Sequence, residues 1–338
     1  MTTVKELEDR LTLPRPELVE FMRSVASPLV VIGASGKMGP TLAVLARRAA
    51  EMAGVNLEVI GVARFSDPSA RRWLEDRGVR TIACDLLDRG QVDVLPDATD
   101  IIYLAGRKFG TSDDPTLTWT MNTIAPVNTL ERYRDARIAA LSTGTVYGLA
   151  TPVSGGSRET ERPEPIGEYA NACLARERIF EHYAQRNGTR VCLVRLNYAV
   201  EMRYGVLVDI ARKVLDGAPV DVTMGYFNCL WQRDANEYAI RSLALARTPA
   251  DVLNLTGPET LAVRDVALRL GTLMGLPVTI TGTESDRAYL NDATRAFELL
   301  GAPPTPADDV IVWTAEWVRG GGASLDKPTH FEVSDGRY

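Results

Sequence analysis

Leu29–Ile32 is an unbroken aliphatic run that leads directly into Gly33-Ala34-Ser35-Gly36-Lys37-Met38-Gly39, and Pro40, Leu42, Leu45 and Ala49 follow at helical spacing. Strand, glycine-rich turn and helix in that order constrain the fold more than any other stretch of the chain. Backbone donors reach a phosphate closely only where no Cβ intervenes, and the helix N-terminus favours the negative charge. Gly33 permits the turn, Gly36 clears room for a pyrophosphate, and Gly39 lets the helix lie against the strand. The spacing is GxxGxxG and not the GxGxxG fingerprint. The strand and helix around it favour a dinucleotide site lined by Gly33, Ser35, Gly36, Lys37, Met38 and Gly39 over an ordinary turn.

Further apolar runs alternate with helical segments: Leu57–Val62, Arg80–Cys84, Ile101–Leu104, Ile138–Ser142 and Val191–Leu196. Runs apolar throughout suit parallel strands covered on both faces. The predicted fold is α/β, a doubly wound parallel sheet. Beyond Asn197 the rhythm weakens, with helices predicted at Val206–Leu215, Val263–Met274 and Val310–Val318 and a strand at Asp251–Thr256. The expected organisation is a helical extension over 1–27, packed on the sheet, a dinucleotide-binding domain over 28–200 and a smaller interleaved substrate region over 201–320. Gly320–Gly322 reads as a linker to a tail over 321–338, in which Thr329–Val333 alternates as a strand does. That tail is a lid, a dimer arm or a disordered end.

Composition narrows the function classes. The chain has 338 residues, 45% of them hydrophobic, enough for a large core. Its net charge of −6 comes without a long basic run, which argues against nucleic acid. No apolar stretch approaches the roughly 20 residues that span a bilayer, and no secretory leader is evident, so a cytoplasmic protein is expected. Cys84, Cys173, Cys192 and Cys229 are widely separated and the only histidines are His182 and His330. A metal centre is therefore not expected, and the cysteines read as free thiols.

A second motif lies downstream: Ser142-Thr143-Gly144-Thr145-Val146-Tyr147-Gly148, then Tyr169-Ala170-Asn171-Ala172-Cys173. Together with the glycine loop it resembles the extended short-chain dehydrogenase/reductase family, the NAD(P)-dependent epimerases and dehydratases. The resemblance covers roughly residues 28 to 320 and is loose beyond 200. It implies Tyr169 as the acid/base, Thr143 as the partner of the substrate hydroxyl and Asn122 as a structural or water-holding member. It also implies Asp85, Leu86, Ala105, Gly106, Asn197, Tyr198 and Val200 around the cofactor, and a homodimer. For Asp85 a helix N-cap is the competing reading.

In that family the fourth residue after the tyrosine is a lysine, whose ammonium lowers the tyrosine pKa and bonds the nicotinamide ribose. Here it is Cys173, grouped with the catalytic positions but read in itself as a small packed thiol. Arg176, two helical turns beyond Tyr169, and Lys108, after Ala105-Gly106, are the candidate replacement cations. Family dehydratases carry an acidic pair after the Ser/Thr, where this chain has Gly144 and Thr145, which disfavours dehydration. The second apolar run ends at Ala63-Arg64 without the acidic residue that binds an NAD ribose. Arg64 suits a 2′-phosphate or is a plain surface charge, and Asp67 argues the other way; the balance favours NADP over NAD. Lys108, Thr145, Arg203, Tyr204, Trp231 and Arg233 are the candidate substrate residues, surface ion pairing being the alternative for the two arginines.

The implied function is NAD(P)-dependent oxidation-reduction or epimerisation of a sugar, sugar acid or nucleotide sugar, by hydride transfer at a carbinol carbon. A cofactor-binding regulatory protein, its lysine lost with catalysis, is the alternative.

Overall fold

The computed structural model describes residues 1–108, 114–327 and 329–336. The first part of the chain runs α1 (Val4–Leu11), α2 (Pro16–Met22), β1 (Leu29–Ile32), α3 (Gly39–Ala53), β2 (Val59–Ala63), α4 (Pro68–Glu75) and β3 (Arg80–Ala83). There follow α5 (Arg89–Asp93), β4 (Asp100–Tyr103), α6 (Pro115–Arg132), β5 (Arg137–Thr143), α7 (Gly167–Asn187) and β6 (Arg190–Leu196). The remainder contains β7 (Ala199–Val200), α8 (Val206–Leu215), β8 (Val220–Asp221), β9 (Tyr226–Phe227), β10 (Leu230–Trp231) and α9 (Gln232–Arg241). Last come β11 (Asp251–Leu255), β12 (Leu261–Ala262), α10 (Val263–Met274), β13 (Ile280–Thr281), α11 (Thr294–Leu300) and α12 (Ala307–Arg319).

Seven strands form one parallel sheet in the order β11-β6-β5-β4-β1-β2-β3. The order reverses between β1 and β4, and the crevice at the carboxyl ends of those strands is where doubly wound folds bind ligands. The strands read as continuous apolar runs because helices cover both faces. In β1, Leu29 and Val31 join the cluster under α2, α3 and α9, while Val30 and Ile32 join the cluster under α6 and α7. Ala139 and Leu141 of β5 divide from Ile138 and Ala140 in the same way. That is the period of two that a strand imposes. Each fully buried aliphatic side chain contributes roughly 1.5–3 kcal/mol.

A second apolar cluster joins α8, α10 and α12 through Leu207, Ile210, Leu270 and Ile311. It corrects two expectations. The N-terminal extension is two helices and not one, because Pro14 and Pro16 interrupt helical pairing after Leu11. Its first helix does not lie on the sheet: Leu7 and Leu11 are buried in the second cluster, while α2 packs against α3 through Leu18 and Met22.

The tail is not a strand. His330 has φ of 55°, which breaks extended geometry. Side chains hold it instead: the Thr329 N–H and hydroxyl both donate to Asp209 on α8, Lys213 pairs with Glu332, and Phe331 is buried near Phe227. Gly336 then packs on Ile166 and Gly167 at the start of α7, so this segment straps the second lobe to the first. The last two residues of the tail lie outside the described residues. No described helix is long and apolar enough to cross a membrane.

Candidate active site

The glycine loop is built from close approach. Gly33 has φ of 88°, and a Cβ there would stand 2.7 Å from the Ala105 backbone nitrogen; one at Gly39 would stand 2.6 Å from the Gly33 oxygen. Any side chain at either position forces β1, β4 and α3 apart. Gly36, Lys37 and Met38 line a cavity of about 310 Å³ that also takes in Gly106 after β4, Thr143 and Thr145 after β5, and Asn197 after β6.

Tyr169, Cys173 and Arg176 lie on one face of α7 because positions i, i+4 and i+7 of a helix superpose. Tyr169 and Arg176 line the cavity with Thr143, and Cys173 packs beside Tyr169. The Thr143 hydroxyl is 3.0 Å from that of Thr145. Burial pushes the phenol well above its ordinary value and the Cys173 side chain adds to the rise, while Arg176 and Thr143 pull it back. Cys173 is fully buried behind Tyr169 among Val146 and Tyr147, outside the cavity lining. Burial pushes its thiol up too, against the pull of Arg176.

Arg176 fills the space behind this pair. Its Nη1 donates to the Ala105 carbonyl at 3.1 Å and to Asn122 Oδ1 at 2.8 Å, and its Nη2 lies 3.6 Å from Cys173 Sγ. Among the described residues no carboxylate comes within 4.0 Å of it, and the neighbouring Glu177 is taken by Arg195 at 2.6 Å. Asn122, fully buried, is off the cavity wall and anchors Arg176. A buried network continues behind it: Ser142 donates to Glu177 at 2.5 Å, and Arg195 donates to Tyr147, which donates to Asn254.

The other anticipated positions divide. Lys108, Tyr198, Val200 and Tyr204 line the cavity with Asn197, whose amide is held by Asn228 and the Tyr289 carbonyl. Ser35 and Arg64 are exposed, and Asp85 orders the turn before α5 by accepting from the Leu87 N–H; none of the three lines this cavity. Leu86 is buried, with its carbonyl bonded to Asn128, and Ala105 is buried beneath Gly106.

Three expected substrate residues are placed elsewhere. Trp231 is 3% exposed and packs edge-on against Trp313. Arg203 pairs with Glu201 at 3.0 Å and Arg233 with Asp234 at 2.6 Å, because buried carboxylates beside them claim the guanidinium groups. Among lining residues the motif reading did not assign are Arg107, Leu141, Leu196, Lys327 and Thr329. Lys327 and Thr329 carry no local signal, since a tail 72 residues and more beyond the end of β11 is read only once folded back.

A glycine loop, a Thr–Tyr pair and a reversal of strand order around one cavity agree with the family model that matches residues 29–223, more than half of the chain: the NAD dependent epimerase/dehydratase family. The chain belongs to that family. Solved structures of similar fold include a UDP-glucuronic acid 4-epimerase from Bacillus cereus, at TM-score 0.72 and 19% identity over 86% of this chain and 99% of that one. A dTDP-glucose 4,6-dehydratase from Streptomyces venezuelae reaches TM-score 0.74 at 20% identity, over 86% and 97%. A UDP-glucose 4-epimerase from Thermotoga maritima reaches 0.71 at 19%, over 87% and 99%. No curated protein sequence matches the chain. Where the resemblance implies an ammonium this chain has the Cys173 thiol, and the Arg176 guanidinium stands one helical turn further along α7.

Proposed function

We propose that the cavity binds a nicotinamide dinucleotide against the Gly33–Gly39 loop, and that the protein oxidises and re-reduces, or simply oxidises, a carbinol carbon of a nucleotide sugar or sugar acid. The observation that carries this reading is that Thr143, Tyr169 and Arg176 line one cavity together with the Gly33–Gly39 loop. The cavity suits the cofactor. Among the described residues its lining contains Lys37, Arg107, Lys108, Arg176 and Lys327 and no Asp or Glu, and a Cβ at Gly36 would meet the Gly33 oxygen at 3.3 Å. Gly36, Lys37, Met38 and the N-terminus of α3 would hold the pyrophosphate, and Gly106 and Val200 would flank the nicotinamide end.

When bound, the nicotinamide ring supplies the acceptor and donor of hydride. This chain's residues manage the proton. Thr143 holds the substrate oxygen, and Tyr169 takes the hydroxyl proton as the C–H bond breaks and returns it when that bond is restored. Arg176 is a positioning residue: its charge favours the tyrosinate, and through Asn122 and the Ala105 carbonyl it ties α7 to α6 and to the end of β4. Dehydration is not part of the proposal. A Cβ at Gly144 would lie 2.1 Å from Asn291 Oδ1, so an acidic residue at the first of the two dehydratase positions would displace Asn291, and the second is held by Thr145.

For the cofactor we propose NADP over NAD. Arg64 is exposed at the end of β2, and Asp67 is committed to capping α4 through the Ser69 N–H at 2.8 Å. Mass spectrometry of nucleotide released on denaturation, with calorimetry of NAD and NADP on the apo-protein, tests the binding; no affinity for either would overturn it. Tyr169→Phe tests the chemistry: turnover of nucleotide sugars should fall at least a thousandfold with dinucleotide affinity unchanged. Full turnover in that variant would remove Tyr169 from its role.

A further inference from the structure

The tail that straps the second lobe to the first is also a wall of the cavity. Thr329 lines it beside Tyr198 and Tyr204, and the chain then runs on to the start of α7. Side chains anchor this segment along its length. Thr329 donates its N–H and its hydroxyl to Asp209 Oδ2 on α8, at 2.9 and 2.5 Å. Phe331 is 1% exposed, with its ring 6.4 Å from that of Phe227, and the Tyr289 hydroxyl donates to the Ser334 carbonyl at 3.4 Å. At the far end Gly336 and Gly167 interlock, a Cβ on either standing 2.7 Å from the other's Cα, two residues ahead of Tyr169.

We propose that residues 329–336 are a gate, shut in this structure, that opens to admit and release the dinucleotide. Size demands movement. The cavity is about 310 Å³, at the low end of the roughly 300–1,000 Å³ that pockets give to one drug-sized ligand. The function proposed above, on which this inference rests, needs a dinucleotide and a nucleotide sugar together.

The tail is the wall built to yield. The glycine loop and the ends of β5 and β6 belong to the sheet ladder, whereas among the described residues 329–336 pairs with no strand, and its Val333 N–H bonds back to the His330 carbonyl at 3.0 Å. A segment held by side chains and not by a ladder opens locally at lower cost. Turning points stand at Asp326 and His330, with φ of 49° and 55°, the left-handed region that Asp and His enter more readily than most side chains. Just before the first of them, the Leu325 N–H fixes the chain to the Arg203 carbonyl at 3.1 Å. A gate acts on rates: ligand passes only in the open fraction, so loosening the anchors speeds entry and exit alike and leaves the affinity nearly unchanged.

Stopped-flow binding of NADP and of NAD to the full chain tests the gate. Asp209→Asn weakens the Thr329 anchor and Gly336→Ala wedges the interlock apart. Each should raise the association and dissociation rates about fivefold or more and shift Kd less than about twofold, while the surface control Lys5→Met changes neither rate. Wild-type rates in both variants overturn the gate. A change confined to one rate overturns it too, because it marks the tail as a ligand contact and not a gate. Amide hydrogen exchange of the unaltered protein, read residue by residue, supplies a second decision: the Thr329 N–H, buried and bonded to Asp209, should exchange about tenfold or more faster than the buried amides of α8. Protection equal to theirs overturns the gate whether or not a dinucleotide binds. Absence of dinucleotide binding falls on the proposed function, and the exchange result then decides the gate alone.

Discussion

The Arg176 guanidinium lies one helical turn beyond the Cys173 thiol, Nη2 3.6 Å from Sγ, and Cys173 in turn packs with Tyr169. A neutral thiol therefore stands between a phenol and the buried cation behind it. In the proposed mechanism Arg176, one turn further along α7, carries the charge that the thiol does not.

Removing that charge should show in the pH dependence of turnover and not only in its size. In Arg176→Met, the acid limb of the oxidation rate should move to higher pH and the rate at pH 7 should drop at least tenfold; Arg176→Lys should recover part of both. A pH–rate profile of the three proteins checks this. A purely structural role would lower the rate without moving the limb.

The direction of the wild-type profile follows from burial. The phenol of Tyr169 sits well above its ordinary pKa, so the unprotonated form that accepts a proton during oxidation is scarce at neutral pH. The oxidation rate should climb about tenfold per pH unit through pH 9 without a plateau. Reduction, which needs the protonated phenol, should stay flat from pH 6 to 9. A plateau of oxidation below pH 8 would contradict the assignment.

Glu177→Gln should cost about 3–5 kcal/mol of stability, because it leaves the Arg195 guanidinium buried without its carboxylate. Urea denaturation checks this. Tyr147→Phe, which removes the hydroxyl that Arg195 and Asn254 share, should cost about 1–3 kcal/mol.

Gly144→Asp should not create a dehydratase. The new side chain would meet Asn291 Oδ1 at 2.1 Å and Asn197 Cβ at 2.9 Å, displacing the residues that shape the cavity. Loss of about 1–3 kcal/mol or more in denaturation, with no dehydrated product by mass spectrometry, is the expected result. Appearance of that product would reopen the dehydration reading.

Much of the fold was legible because its signals are local. β1 and β2 are continuous apolar runs and β4, β5 and β6 contain them, and α8 and α10 fall on the expected residues, Val206–Leu215 and Val263–Met274, because their apolar positions recur at the helical period. The glycine loop was legible for the same reason. Arg176 was half legible: its place seven residues beyond Tyr169 puts it on the same helix face, but not that it lacks a carboxylate partner. Arg203, Trp231 and Arg233 carried the residue types of a binding cleft, and nothing in their spacing revealed that Glu201, Trp313 and Asp234 would claim them.

Local patterning by itself thus determined the doubly wound sheet and the loop at its switch point, since backbone geometry and period act over a few residues, whereas Thr143 and Tyr169 were singled out by the resemblance to a family. Tertiary structure alone decided which charges meet. Lys37 reaches Ala199, α1 joins the second lobe and the tail brings Lys327 to the cavity. Such contacts are settled by the burial of surfaces from distant segments, and pairwise charge and packing terms have no period for a sequence to display.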